Sequence, residues 1–348
     1  MMPAETGRKS ERLIMQESEP IFLTGPDRSG TSLMFALLAS HPHLSMVRRT
    51  NMWRWFYGQF GDLSDRDNFE RCLDTMLRYK RLRHLKPDPE RIRREFWEGE
   101  PSYGLLFALF HQHHAERRGK CRWGDKSLHT EHHADELFAE FPRATIIHMM
   151  RDPRDRYASV LKRYNDEEKG VAAATGRWLA SARVARRNMQ RYPGRYMTVR
   201  YEALTRNPEA TLKQVCAFIG EAYDSVMLTM KDAPNHSKTG GNSSFTKFKP
   251  GTISTRSIGR FRQVVAKHDV AFIQVCAGRE MIAFDYPLEQ IQMSPRDCAS
   301  FYLHDLPVNL VRVAGWLTLK AIADRRGQTV PVRHLVKNAT IEKVYKPG

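Results

Sequence analysis

The chain has 348 residues, of which 41% are hydrophobic and 27% charged, and its formal net charge is +17. This length suffices for one large domain with a sizeable core, and the composition is that of an ordinary globular protein, which excludes disordered and collagen-like chains. The charge favours anionic partners such as nucleotides and sulfated or phosphorylated substrates, although a basic solvated surface would give the same value. Five scattered cysteines without a CxxC pair exclude a disulfide scaffold, so we expect a reducing, cytoplasmic location.

The first 19 residues form a polar lead-in without the apolar run of a secretory signal, and no stretch is long and apolar enough to span a bilayer. The segment Pro20–Pro42 then predicts a short buried strand, a polar turn and a helix. Two glycines of the turn, Gly25 and Gly30, are separated by four residues, as in the P-loop pattern GxxxxG. Such a turn aims backbone N–H groups and the positive end of a helix dipole at one point, which predicts an anion site.

This turn differs from the loop of a nucleoside triphosphatase. There the second glycine is followed by a lysine that reaches the β- and γ-phosphates, whereas here that position holds Thr31 and the cation of the turn is Arg28. The sequence therefore predicts a phosphate-type ligand other than the end of ATP. A Gly/Ser turn without a ligand is the alternative.

The next part of the chain supplies a predicted strand and several helices. Residues 43–60 predict a short strand and then a helix, with Arg48 and Arg49 suited to a wall that faces a substrate. Residues 67–85 and 88–118 have mostly helical apolar spacing. Three histidines near the end of the second helix predict a solvated or dipole-capping helix end rather than a metal site: His111, His113 and His114.

The segment Trp123–Ser127 predicts a loop with a lone lysine, Lys126, and a helix follows as far as Phe141. His129 and His133 have the i,i+4 spacing of a metal-binding pair. Because no third ligand accompanies them, the sequence favours a site without metal.

A second strand, Ala144–Met150, is apolar throughout and so predicts burial on both faces, as in a parallel sheet. Ligands of open α/β sheets bind at the carboxyl ends of strands, which makes Arg151 a candidate anion ligand. Ser159 and Arg163 lie four residues apart on the predicted following helix and so share one of its faces. An ion pair with a neighbouring aspartate is the alternative role for Arg151, and Asp152 would serve a P-loop kinase as a metal ligand.

Strands alternating with helices predict a three-layer α/β/α fold with a central, mainly parallel sheet, like that of P-loop NTPases. The later predicted elements are a helix at 171–191, a strand at 195–202 and a helix at 210–219. A Gly/Ser/Thr/Lys-rich loop typical of a ligand lid follows at 235–262, and then another helix at 267–283. We divide the chain into a lead-in, an α/β domain and a basic helical extension, at 1–19, 20–290 and 291–348. For the extension we favour core packing or a subunit contact, with a homodimer and peripheral membrane contact left open.

Two anion sites after two adjacent strand ends suit a nucleotide with phosphate groups at its 5′ and 3′ ends. At this point the sequence resembles the PAPS-dependent sulfotransferases, whose donor is 3′-phosphoadenosine 5′-phosphosulfate (PAPS), over about residues 20–285. The turn at 25–32 resembles their 5′-phosphosulfate loop, and 146–159 resembles their 3′-phosphate strand and helix. The segment 123–127 resembles a loop whose lysine faces the transferred sulfuryl group, and 257–261 resembles a late loop that closes over the nucleotide.

The resemblance implies in-line sulfuryl transfer to a hydroxyl or amine, with 3′,5′-ADP as the product and no metal. It implies catalytic roles for Arg28 and Lys126, with Asp125 and His129 as further candidates. The implied donor-binding residues are Arg28, Ser29, Gly30, Thr31, Ser32, Arg151, Ser159, Arg163, Tyr201, Ser257, Gly259 and Arg260.

One departure from the family pattern concerns the general base. Many relatives carry a glutamate shortly after the His-Pro that ends the first helix, and here that place falls at about Arg49, which cannot act as a base at neutral pH. The base is left open among Asp125, His129 and Asp27, and an amine or acidic hydroxyl acceptor, or a loss of activity, would also fit. We expect a small-molecule, carbohydrate or lipid acceptor, with an anionic one suited to the arginines, and no nucleic acid. The alternatives are a P-loop kinase and a non-catalytic polyanion-binding protein.

Overall fold

The centre of the computed structural model, which describes residues 19–163, 170–233 and 251–325, is a sheet of five parallel strands in the order β2-β3-β1-β4-β5. Most of the predicted lead-in and most of the predicted lid loop lie outside the described residues, as does the end of the C-terminal extension. The strands are β1 Ile21–Thr24, β2 Leu44–Arg48, β3 Arg122–Lys126, β4 Thr145–Met150 and β5 Tyr196–Arg200.

The parallel sheet confirms the prediction from the apolar strands, since β1 and β4 are adjacent and buried along their whole length. One prediction was wrong: Trp123–Ser127 is not a loop, because its first four residues belong to β3, between β1 and β2. The strand is polar in sequence, which hides it from an apolar pattern. Its Gly124 is required by close packing, since a Cβ there would lie 2.5 Å from the Met46 sulfur and 2.7 Å from the Ile21 carbonyl oxygen.

Helices cover both faces of the sheet and complete the three layers. One face packs Phe22 against Trp53, Trp123 and Phe141, while the other packs Ile21 and Leu23 against the helix that follows β1. The helices are α1 Thr31–Ala39, α2 Met52–Trp55, α3 Arg66–Arg78, α4 Pro89–Glu98, α5 Tyr103–Arg117, α6 Ala134–Glu140, α7 Pro153–Arg163, α8 Val171–Arg191, α9 Tyr201–Arg206, α10 Pro208–Ile219, α11 Phe261–Val264, α12 Lys267–Ala283, α13 Pro295–Ser300 and α14 Leu306–Arg325.

The region 88–118, predicted to be mostly helical, consists of two helices, α4 and α5, separated at 99–102. Ser102 ends the break, since its side chain accepts a hydrogen bond from the Leu105 N–H and caps α5. The three histidines near the end of α5 were predicted to lie at a solvated or dipole-capping helix end, and this was wrong for His111 and His113. His113 is buried and contacts Glu95 at 2.6 Å, and His111 packs edge-on against Trp123 with ring centroids 4.7 Å apart. These histidines join α5 to α4 and to the sheet.

The C-terminal helix α14 packs against α8. The Trp316 ring lies so close to Gly176 that a Cβ there would come within 2.8 Å of it, and Val313 is buried in the same contact. Leu303, Val311 and other apolar side chains of this region are exposed. None of the helices among the described residues is long and apolar enough to cross a membrane. All five cysteines are present there as thiols.

Candidate functional site

The turn between β1 and α1, which we call the anion loop (residues 25–32), has a backbone that its sequence can adopt only because of its glycines. Gly25 and Gly30 have φ values of +133° and +89°. A Cβ at Gly25 would lie 2.4 Å from the Met149 carbonyl oxygen, and one at Gly30 would lie 2.4 Å from the Tyr201 ring. The loop therefore lies closely against the ends of β4 and β5, and it opens onto the N-terminus of α1.

The predicted 5′ and 3′ anion sites form one cluster. Arg28 donates from Nε to Ser159 Oγ at 2.9 Å, and Arg151 donates to the Arg28 carbonyl oxygen at 3.2 Å and to the Ser257 carbonyl oxygen at 2.8 Å. The Arg151 guanidinium stacks 4.5 Å from the Tyr201 ring centroid, and the Tyr201 and Ser257 hydroxyls are 2.7 Å apart. Five predicted residues from four segments of the chain are thus joined by a continuous series of contacts.

Two polar atoms in this cluster are buried and have no hydrogen-bond partner within the described residues: Ser29 Oγ and Arg151 Nε. A buried donor left unpaired is costly, so these atoms indicate a place where a ligand with several oxygen atoms would be bound. They fit the phosphate and sulfate groups of a nucleotide such as PAPS.

The other predicted donor residues differ in exposure and in their partners. Thr31 is buried and Ser32 is exposed, as the first two residues of α1, and Arg163 is exposed at the end of α7. The Gly259 N–H donates to Asp155 at 2.6 Å, and Arg260 donates to Gln263 at 2.6 Å.

The alternative roles of the aspartates after β4 do not match the geometry. Both carboxylate oxygens of Asp152 accept from Arg154, at 3.0 and 2.7 Å, which does not leave Asp152 as an open metal ligand of the kinase type. Asp155 accepts from the backbone N–H groups of Gly259 and Phe261. The hydrogen bonds of Arg151 go instead to carbonyl oxygens.

A group of cations lies at the ends of β2 and β3. Lys126 is the last residue of β3, in register with Arg48 of β2, and its carbonyl oxygen accepts from the Arg49 N–H at 2.8 Å. Burial, and then repulsion from Arg49, Arg48 and Arg28, lower the pKa of Lys126 to about 7. Converging cations repel one another, so an anion bound here would stabilise the region. Sequence reasoning had not linked the two arginines to Lys126 because β3 went unrecognised.

Asp125 lies on the opposite face of β3 from Lys126, since successive strand residues alternate. Its Oδ2 accepts from the Thr50 hydroxyl at 2.7 Å and the Ser127 hydroxyl at 2.9 Å, while Oδ1 is buried without a partner among the described residues. Burial raises the pKa of Asp125 to about 6. The carboxylate is therefore mostly ionised at neutral pH and still able to take up a proton.

His129 precedes a short 3₁₀ helix, Thr130–His133, and has a left-handed backbone with φ 72°. Its ring lies near Glu131 and His132, with candidate ligand atoms within 4.8 Å of one another. Both Glu131 oxygens already accept hydrogen bonds, from Thr24 and Ser181. Burial opposes ionisation of Glu131, but His148, His132, His129 and the Thr24 hydroxyl outweigh it and lower the pKa to about 2. The nearby histidines thus favour the ionised form of this buried carboxylate, which lies next to β1.

The family model of the sulfotransferase family matches residues 20–225, which is more than half of the chain and includes the anion loop, Lys126 and Arg151. The chain belongs to the sulfotransferase family. The family's PAPS-dependent sulfuryl transfer is thus the activity of this sulfotransferase, as the motifs predicted, and the kinase and polyanion-binding alternatives are not favoured. A search of curated proteins gave no significant match.

Solved structures agree with this sulfotransferase fold. The sulfotransferase domain of the Synechococcus PCC 7002 olefin synthase is 21% identical with a TM-score of 0.52, and the match covers 78% of this chain and 98% of that one. The sulfotransferase domain from the curacin biosynthetic pathway is 16% identical with a TM-score of 0.51, covering 79% and 100%. At these identities the likeness shows the common α/β fold.

Proposed function

We propose that this sulfotransferase binds PAPS at the carboxyl ends of β1 and β4. The 5′-phosphosulfate would lie in the anion loop and the 3′-phosphate beside Arg151, Ser159 and Arg163. The contact of Ser159 with Arg28 carries the proposal, because it joins the two anion sites at a distance of one hydrogen bond. The unpartnered Ser29 Oγ and Arg151 Nε supply donors at the 5′ and 3′ sides respectively. The remaining contacts to the nucleotide are assigned to Thr31, Ser32, Tyr201, Ser257, Gly259 and Arg260.

PAPS supplies the sulfuryl group, whose bond to the bridging phosphate oxygen breaks as the acceptor oxygen or nitrogen bonds to sulfur. Negative charge develops on the leaving 3′,5′-ADP, so preorganised cations next to it lower the barrier. Arg28 and Lys126 fill this role. The pKa of Lys126 is about 7 in the empty protein and rises beside a bound phosphate group, so the amine is protonated in the complex and donates a hydrogen bond toward the leaving oxygen.

For the general base the candidates are His129, Asp27 and Asp125, of which Asp125 lies on the opposite face of β3 from Lys126. Its ionised carboxylate is held by Thr50 and Ser127, and its raised pKa suits proton uptake from an acceptor. Asp27 is paired with Arg156, which draws its carboxylate away from that role. His129 is a further candidate, and exposed Arg49 stands where relatives have the glutamate.

The acceptor is a small molecule, as the family implies, and we propose that it is a carbohydrate or lipid-like compound that bears an anionic group. The exposed Arg49 and the half-buried Arg48 beside Lys126 support this, since the donor's sulfuryl end needs only part of that positive charge. The free thiols support a cytoplasmic location. The exposed apolar side chains near α14 support a homodimer or a peripheral membrane contact.

Isothermal titration with 3′,5′-ADP and with ATP–Mg²⁺ tests the donor site. We expect binding of 3′,5′-ADP without metal and weak or no binding of ATP–Mg²⁺. Failure to bind 3′,5′-ADP would refute the site, and magnesium-dependent ATP binding would restore the kinase hypothesis. A screen of hydroxyl and amine acceptors with ³⁵S-labelled PAPS, with matched neutral and anionic members, then tests the acceptor class.

A further inference from the structure

Arg156 on α7 is a buried charged residue that none of the donor motifs uses. Its side chain is 0% exposed, and its three hydrogen bonds all leave its own helix. Nε donates to the Asp27 carbonyl oxygen at 2.8 Å, one terminal nitrogen donates to Asp27 Oδ1, and the other donates to the Ala174 carbonyl oxygen at 3.0 Å. One guanidinium therefore binds both the backbone and the side chain of a single loop residue and anchors them to α8.

The residue after Asp27 has a backbone that needs such support. Arg28 has φ 64°, a left-handed conformation that costs a residue with a side chain about 1 kcal/mol or more. It lies in a turn of the anion loop that is closed by the Ser29 N–H and the Pro26 carbonyl oxygen at 3.3 Å. Turns place glycine or asparagine at such positions, so an arginine there is maintained by contacts on either side.

Those contacts come from the helix and strand that hold the 3′ side of the donor site. Arg156 fixes Asp27, Arg151 fixes the Arg28 carbonyl oxygen, and Ser159 accepts from the Arg28 side chain. Of the three, Arg151 and Ser159 are assigned to the nucleotide itself. Arg156 is buried behind the loop and contacts the donor site only through Asp27.

We infer that the Asp27–Arg156 pair is a positioning device that sets the anion loop so that Arg28 faces the 5′ group of the donor. The inference rests on the proposed donor site and adds to it a pair that the resemblance does not supply. A buried pair replaced as a whole is often neutral for stability, whereas the loss of one partner is destabilising, so affinities are compared only in variants that remain folded. The effect of the pair on binding is expected in the geometry of the loop.

The experiment compares two probes, 3′,5′-ADP and adenosine 3′-phosphate, which differ only in the 5′ group. In Asp27→Asn and in Arg156→Met we expect the affinity for 3′,5′-ADP to fall by about tenfold or more, the size of a lost charged hydrogen bond. The affinity for adenosine 3′-phosphate should change less than about twofold. The double variant should be no weaker than the weaker single variant, since both changes remove one interaction.

The matched control is Arg154→Met, which removes an equally buried guanidinium of the same helix that contacts Asp152, Gln274 and the Pro287 carbonyl oxygen. Any loss in this variant should affect both probes equally. If Arg156→Met does not fold, Asp27→Asn and Arg156→Lys carry the comparison, because the first changes a partly exposed loop side chain and the second retains the charge.

Equal weakening of both probes, additive single effects, or unchanged binding of 3′,5′-ADP would each overturn the positioning role. Wild-type protein that does not bind 3′,5′-ADP would instead contradict the donor site itself, before any variant is made.

Discussion

Lys126 gives the most quantitative prediction, because donor binding should be coupled to proton uptake at its amine. In the empty protein its pKa is lowered to about 7 by burial and by Arg49, Arg48 and Arg28. At pH 8 the amine is then about nine-tenths neutral. A bound phosphosulfate or phosphate favours the charged form and raises the pKa, so binding requires a proton.

We expect about 0.9 protons to be taken up per 3′,5′-ADP bound at pH 8, and the affinity to fall by about tenfold per pH unit above 7 until the pKa of the complex is reached. The phosphates of the nucleotide are already ionised there, since their second pKa is about 6. Asp125, with a pKa of about 6, is ionised too and does not compensate. Titration in buffers of different ionisation enthalpy at pH 8 measures the uptake directly.

Lys126→Arg is the matched control, because a guanidinium stays protonated at all these pH values. This variant should bind without proton uptake and with little pH dependence. Uptake below about 0.3 protons in the wild type, or equal uptake in both proteins, would show that Lys126 does not respond to the ligand. The empty wild type should also become more stable from pH 7 to about 10, since its unfolded state binds the lysine proton more tightly.

Three further predictions concern single side chains of the site. Arg28→Ala and Arg151→Ala should each weaken 3′,5′-ADP binding by about 1.5–3 kcal/mol in calorimetry, and wild-type affinity in both would refute the assignment. Gly30→Ala should lower both thermal stability and nucleotide affinity, because its Cβ meets Tyr201 at 2.4 Å, whereas Gly315→Ala, with no atom within 4 Å, should stabilise helix α14 by about 0.5–1 kcal/mol. Asp125→Asn should reduce turnover but raise the free energy of unfolding at pH 7. The folded protein has the higher Asp125 pKa, so the wild type loses stability as the pH rises from about 4 to 6, and the variant does not. A less stable, fully active variant would contradict this.

The parts of the fold that the sequence predicts are those with a local signal. β1 and β4 are continuous apolar runs, and the glycine spacing of the anion loop is fixed within eight residues. β3 was not predicted because Arg122, Asp125 and Lys126 are polar. Its place between two strands depends on Gly124 and on partners far along the chain.

The site shows the same division. Arg28, Arg151 and Ser159 were predicted from motifs and are in contact, although they come from two segments more than 120 residues apart. The Asp27–Arg156 pair and the Thr50 contact with Asp125 were missed, because neither has a spacing that sequence periodicity can reveal. The pKa of Lys126 likewise depends on burial and on arginines of a neighbouring strand.

The packing of Trp316 on Gly176 has a consequence for work with shortened forms of the protein. Gly176 is two residues from Ala174, whose carbonyl oxygen accepts from Arg156, which in turn binds Asp27 of the anion loop. The C-terminal helix lies outside the segment that matches the family, yet its Trp316 packs within two residues of this anchor. A fragment cut after residue 290 would retain every residue that we assign to the donor and still lose the contact of Trp316 with α8.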